Sequence, residues 1–202
     1  MVVSLADVQA AARQLQGQVV LTPCLPSQRL SELLGCQITL KFESLQYCSS
    51  FKERGAYLKL ASLTEEERAR GVIAMSAGNH AQGVACHAAR LGILVTIVMP
   101  RLTPFVKVER TARFGAKIVL EGDSVEDASV FARKIAAERD LIFVHPYDDP
   151  LIIAGQGTLA LEMLTAAPDL DVLVVPIGGG GLIAGVATAA KGIKPGIEIV
   201  GV

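Results

Sequence analysis

The sequence concentrates charge of neither sign: 19 lysines and arginines are interspersed with 20 aspartates and glutamates, for a net charge of -1. A nucleic-acid-binding surface needs a basic face to neutralise phosphates, so nucleic acid is not an expected partner. No two of the four cysteines (Cys24, Cys36, Cys48 and Cys86) form a C-x-x-C pair. That removes the usual support for a zinc site, and no metal is expected. The first residues, MVVSLADVQ, lack a basic stretch followed by an apolar run. No secretory signal is therefore read there, and a reduced, cytoplasmic protein is the expectation. Repeats and low-complexity segments are also missing. One charge-free run, Val172 to Ala190, has the length of a membrane span of ~20 residues. It contains Pro176 and the glycines Gly178 to Gly181, which strongly disfavour a continuous helix. A buried strand, a glycine loop and a buried helix describe it better, and no membrane is expected.

What remains is an ordinary globular balance, 51% hydrophobic and 19% charged over 202 residues, enough for a sizeable core. Ser4 is placed to cap a helix with apolar positions Leu5, Val8, Ala12 and Leu15, stopped by Gly17. Ser27 opens a short helix ended by Gly35, and Gln37–Phe42 reads as a strand. A helix is expected from about Phe51 to Leu63. Strands follow at Val72–Met75, Leu94–Met99, Lys117–Leu120, Leu141–Val144, Val172–Val175 and Ile197–Val202. They alternate with helices at Asn79–Leu91, Pro104–Phe114, Val125–Arg139, Ile152–Ala166 and Leu182–Lys191. Thr103 before Pro104, and Ser124 with Asp127, carry cap signals. Apolar strands alternating with helices predict an α/β fold of parallel sheets covered on both faces. The sequence stops within an apolar strand, so a C-terminally truncated fold is expected.

Ligands of parallel sheets bind beyond the carboxyl ends of the strands, and three loops fall there. The first is Ser49-Ser50-Phe51-Lys52. A cation at a helix start opposes the helix dipole, which suits an amine whose pKa must fall to form an imine. On spacing alone, a solvated surface lysine is the simpler reading. The second is Ser76-Ala77-Gly78-Asn79-His80, whose small residues expose backbone N–H groups to a carboxylate or phosphate. A plain capped turn is an equal reading, with His80 packed or capping. The third is Pro176-Ile177-Gly178-Gly179-Gly180-Gly181. Close helix–strand packing explains one or two glycines; four suggest a phosphate cradle. Gly179 to Ala184 also fits G-x-G-x-x-A, a weak dinucleotide signal here.

Taken in order, these loops resemble fold-type-II pyridoxal-phosphate enzymes, the tryptophan-synthase-β-like fold, and most closely the threonine dehydratase and serine dehydratase/racemase family. Lys41 to Gln46 and Ser50 to Ala56 resemble the family's cofactor-lysine segment. Ser76 to Gly83 resembles its substrate-carboxylate loop, and Ala154-Gly155-Gln156-Gly157-Thr158 and Pro176 to Gly181 its later signatures. The resemblance implies pyridoxal 5'-phosphate as cofactor, held covalently by Lys52, which later moves the α-proton. Phe51 would pack beside the cofactor ring and Asn79 would bond its hydroxyl. Gly178, Gly179, Gly180, Gly181 and Leu182 would cradle its phosphate. Ser76, Ala77, Gly78, Asn79 and His80 would take the substrate carboxylate. A small domain, 53–153, would be inserted into an incomplete large domain formed by 1–52 and 154–202. The implied activity is deamination of L-threonine, or L-serine, within amino-acid metabolism such as isoleucine biosynthesis, by a homo-oligomer.

Tyr47-Cys48-Ser49 departs from the Arg-Thr-Gly of many relatives. The family's residue facing the pyridine nitrogen lies beyond this sequence, so a weakly active or inactive chain is expected. An inactive remnant, and a nicotinamide-dependent oxidoreductase resting on G-x-G-x-x-A, are alternatives. So is a racemase, but racemases of this resemblance carry a serine where Ala77 stands, and alanine moves no proton.

Overall fold

A computed structural model describes residues 2–202. In chain order the elements are α1 (Leu5–Leu15), β1 (Cys24–Pro26), α2 (Gln28–Leu34), β2 (Thr39–Lys41) and a 3-10 turn (Glu43–Leu45). Next come α3 (Lys52–Ala61), α4 (Glu65–Arg70), β3 (Val72–Met75), α5 (Asn79–Arg90), β4 (Val95–Met99), α6 (Phe105–Ala112) and β5 (Lys117–Leu120). The series ends with α7 (Val125–Glu138), β6 (Ile142–Phe143), α8 (Pro150–Ala166), β7 (Val172–Val175), α9 (Gly181–Ile193) and β8 (Glu198–Gly201).

Four strands form one parallel sheet in the order β5-β4-β3-β6. Alternating side chains of β3 and β4 go to opposite faces, as the period of two requires. Val72, Ala74, Val95, Ile97 and Met99 pack with α3 and α5 on one face. Ile73 and Val98 pack with Ala128 and Ala132 of α7 on the other. A second apolar cluster joins α1, α8 and α9 to the parallel pair β7–β8, through Val8, Leu15, Leu159, Leu173, Val186 and Ile197. Helix α3 serves both clusters, giving Ala56 and Leu60 to the first and Leu58 to the second.

Three departures from the sequence reading have local causes. The sheets are not all parallel: β1, not expected, pairs antiparallel with β2, Cys24 opposite Lys41. Helix α4, EEERAR, has no apolar stripe to reveal it. It rests on a capping box between Thr64 and Glu67 and on Arg68, which donates to the carbonyls of Ala61 and Leu63. Thr103 does not cap α6; extended Pro104 is the N-cap and makes no side-chain bond. Ser4 caps α1 as expected, with Asp7 completing a capping box, and the Ser124–Asp127 box stands as expected.

The helices cross at glycines. A Cβ on Gly155 of α8 would lie 2.6 Å from the Cα of Gly55 in α3, and one on Gly157 would lie 2.7 Å from the carbonyl oxygen of Gly185 in α9. Beside these crossings Arg54, with 0% of its surface exposed, donates to both carboxylate oxygens of Glu43 at 2.8 Å. It also donates to Glu162 at 2.5 and 2.9 Å and to Thr158 at 3.0 Å. Lys41 completes the cluster, 2.5 Å from Glu162 and donating to the Thr22 carbonyl at 2.6 Å. Burial alone would raise the Glu43 carboxyl; Arg54 reverses that and holds it below the usual carboxylate range.

Removing one member leaves the rest desolvated without a counter-charge. Arg54→Met is therefore expected to destabilise the fold by about 3 kcal/mol or more, read from the shift of a chemical-denaturation midpoint. A loss under about 1 kcal/mol would place this cluster with ordinary surface pairs.

Candidate active site

The carboxyl end of β3 leads into Ser76-Ala77-Gly78 and then the first turn of α5. Ser76 donates its amide to the Val98 carbonyl at 3.1 Å, and its Oγ accepts the Gly78 amide at 3.1 Å. Gly78 is the N-cap of α5 and supplies no side-chain cap. First-turn N–H groups of a helix have no partner within the helix, so they are left facing out. Asn79 is exposed. His80 is buried, and its Nε2 lies 3.1 Å from the Val144 carbonyl. A carbonyl only accepts, so Nε2 carries the proton. Nδ1 is left bare and buried with no partner. Burial, with Lys52 nearby, pushes the ring's pKa down to about 3, so His80 is a neutral acceptor.

Lys52 is the first residue of α3, preceded by Phe51 in helical conformation and by no side-chain cap. Its Nζ donates to the Pro146 carbonyl at 2.6 Å and sits 5.5 Å from the centre of the Phe51 ring. Burial lowers its pKa below that of an ordinary lysine. A Cβ on Gly83 of α5 would come within 3.3 Å of the Glu53 amide nitrogen, so α5 lies close along the start of α3.

The glycine loop leads into α9, whose N-cap is Gly180 at φ +87°, again with no side-chain cap. A Cβ at Gly179 would collide with the Tyr147 ring, and one at Gly181 would lie 2.6 Å from the Tyr147 carbonyl oxygen. Gly178 is free of such neighbours.

The three loops therefore meet on one segment, Val144-His145-Pro146-Tyr147. Val144 takes His80, Pro146 takes Lys52, and Tyr147 packs on the glycine loop. In the sequence a strand ends at Val144, and no motif marks the residues that follow. The run His145-Pro146-Tyr147-Asp148-Asp149-Pro150 did carry turn chemistry, but nothing local shows what a turn will touch. The predicted residues are also divided. Ser76, Ala77 and Gly78 line a cavity of about 430 Å³ with Lys107, Arg133, His145 and Tyr147. Phe51 and Leu182 instead line an apolar cleft of about 440 Å³ between β2 and β7.

This donor set fits a cofactor with a phosphate and an aldehyde. A 13-residue helix opens on bare N–H groups behind a loop with no room for a side chain at Gly179 or Gly181. Beside it stands a desolvated primary amine. Among the described residues no group of histidine, cysteine, aspartate or glutamate is placed to hold a metal, and no helix is long and apolar enough to cross a membrane.

An α/β fold with an amine-bearing helix start and a glycine loop opening a helix defines a class, and the comparison with known families names it. The model described as "Pyridoxal-phosphate dependent enzyme" matches residues 15–202, and the chain belongs to that family, whose cofactor is pyridoxal 5'-phosphate. The chain is 50% identical over 200 residues to an L-threonine ammonia-lyase of Thermotoga maritima, covering 99% of this chain and 50% of that one. It is 44% identical to a catabolic L-threonine dehydratase of Staphylococcus aureus, covering 100% and 58%. Maize serine racemase superposes with a TM-score of 0.96 at 35% identity, covering 100% of this chain and 61% of that one. Threonine deaminase isoform 2 of Solanum lycopersicum gives 0.92 at 39%, covering 98% and 54%. The fold is that of fold-type-II enzymes, and the chain spans about half the length of the curated relatives it matches.

The packing at the glycine loop separates two neighbouring glycines. Gly179→Ala should cost about 1–3 kcal/mol through overpacking against Tyr147, whereas Gly178→Ala should stay within about 0.5 kcal/mol. Urea denaturation of both variants, with Tyr147→Ser added to relieve Gly179→Ala, measures this; equal losses would remove Tyr147 from the loop's packing.

Proposed function

We propose that the protein of which this chain is part deaminates L-threonine to 2-oxobutanoate and ammonia with pyridoxal 5'-phosphate. L-serine, giving pyruvate, is a secondary substrate in this reading. One observation carries it: the amine of Lys52, the His80 loop and the glycine loop converge on four consecutive residues, with Lys52 Nζ 2.6 Å from the Pro146 carbonyl oxygen. The choice of threonine is supported by the 50% identical L-threonine ammonia-lyase.

Residue by residue, Lys52 holds the cofactor and, once released, takes the α-proton as general base, a role that needs an amine partly neutral at working pH. Its burial favours that state. Ser76, Ala77, Gly78 and His80 surround the substrate carboxylate at the uncapped start of α5, with the backbone N–H groups of Ala77 and His80 donating to it. Asn79, on the exposed rim of that turn, bonds the cofactor ring's hydroxyl. Gly178, Gly179, Gly180, Gly181 and Leu182 hold the phosphate at the start of α9, and Phe51 stands beside the ring. Bound pyridoxal phosphate supplies an electron sink for the charge left at the α-carbon. Ala77 offers no proton to the opposite face, which disfavours racemisation despite the similarity to maize serine racemase.

The same reading takes residues 53–153 as a small domain inserted between 1–52 and 154–202. The apolar clusters support it, one drawing on Ala56 to Ile152 and the other mainly on Val8 to Leu15 and Ala154 to Ile197. It also takes the protein as a cytoplasmic homo-oligomer serving amino-acid metabolism. The four cysteines, all free thiols, agree with a reducing compartment.

Incubation with pyridoxal phosphate, borohydride reduction and peptide mass spectrometry should place a single phosphopyridoxyl group on Lys52. Lys52→Ala should lose that label, and in a threonine-deaminating preparation it should lower 2-oxobutanoate formation by about 10²-fold or more. Label scattered over surface lysines would refute the assignment.

A further inference from the structure

The segment that joins the three loops is itself held by one side chain that no motif pointed to. His145 Nδ1 accepts the amide of Asp148 at 2.7 Å and that of Tyr147 at 3.4 Å. Pro146 lies inside this turn and has no N–H to give, so the turn is closed by the ring instead of by backbone. The ring sits edge-on to Tyr147 at 4.7 Å and tilted against Phe143 at 6.2 Å. We propose that His145 is a positioning residue: as a neutral imidazole it folds the 145–148 turn so that the Pro146 carbonyl meets Lys52 and Tyr147 meets the glycine loop. The inference rests on the reading of Lys52 as the cofactor lysine.

The chemistry of the ring makes this a protonation-dependent clamp. Only the tautomer with its proton on Nε2 has a lone pair at Nδ1. A second proton would set N–H against N–H and open both bonds. The groups facing the ring come from every side. Arg133 of α7 and Lys52 of α3 oppose protonation, Asp148 and Asp149 before α8 favour it, and Lys107 of α6 lines the same cavity. Burial of the ring first, and Arg133 next, hold its pKa below the usual histidine value. The sign follows: with a folded pKa below the unfolded one, the clamp's contribution is complete above about pH 6.5 and is lost as pH falls through the lower folded value.

Two variants test it on the whole chain. In His145→Asn the side-chain amide oxygen would accept the same backbone amides at any pH, so this variant keeps an acceptor that cannot be protonated; His145→Phe keeps a flat ring with no acceptor. Amide hydrogen exchange at Tyr147 and Asp148 is read as protection factors at about pH 7.5 and about pH 5. Pyridoxylation of Lys52 is followed at the same values. In the unsubstituted chain, amide protection should show an acid loss that H145N lacks, and labelling should fall further on acidification than it does in H145N. H145F should lose about tenfold in Asp148 protection at the higher pH, the scale of one hydrogen bond. Unchanged protection in H145F, or the same acid loss of protection in H145N, overturns the proposal. If H145F does not fold, the H145N comparison decides alone. If Lys52 takes no label at any pH, the cofactor reading fails, and the exchange data still decide whether His145 closes the turn.

Discussion

A guanidinium with none of its surface in water fixes the start of α3. Arg54 could not be left there alone, since an unpaired buried ion costs several kcal/mol. Glu43 and Glu162 approach from the 3-10 turn and α8, and Lys41 balances the second carboxylate. That neutral set determines the rotation of the helix. Lys52 lies two residues before Arg54, about 200° around the axis at 3.6 residues per turn, so committing Arg54 to one side commits Lys52 to the other. Glu53, between them, accepts the Cys48 amide and lies 3.4 Å from His87 of α5. The first turn is thus pinned in three directions, and the amine meets the Pro146 carbonyl as a consequence.

How much of this could be read in the chain differs by kind of information. β3 and β7 lie within the bounds expected for them because each is an unbroken apolar run with no competing signal. The Ser4 cap of α1 and the capping box of α7 are legible because four consecutive residues contain the whole interaction. Long-range chemistry was not. Gly155 and Gly157 read as a family signature, and in the fold they are the contact points of α8 with α3 and α9. Their identity follows from how closely two backbones approach. Arg54 and Glu43 stood inside recognised motifs without a stated role, because no local pattern marks a residue whose partner is 108 positions away, as Glu162 is for Arg54. His145 and Tyr147 stayed hidden for the same reason.

A lysine at a helix start is an electrostatic oddity in the sequence, and the fold explains why it stays one. Lys59 of the same helix lies 2.7 Å from Asp149, and Lys41 lies 2.5 Å from Glu162. A carboxylate that close stabilises an ammonium strongly, since a charged acceptor makes a bond roughly twice as strong as a neutral one. Lys52 is given a carbonyl instead. The carbonyl orients the nitrogen, while its neutral dipole offsets less of the burial that favours the uncharged amine. The unsatisfied N–H groups at the starts of α3, α5 and α9 add partial positive charge in the same sense. These terms act together: uncapped helix starts favour an anion nearby, and the partly buried amine of Lys52 is biased toward giving up its proton. A nucleophilic amine beside uncapped helix starts is what a phosphorylated aldehyde requires, so under the proposed function the environment that makes Lys52 unusual as a lysine is the one that suits it to the family's cofactor.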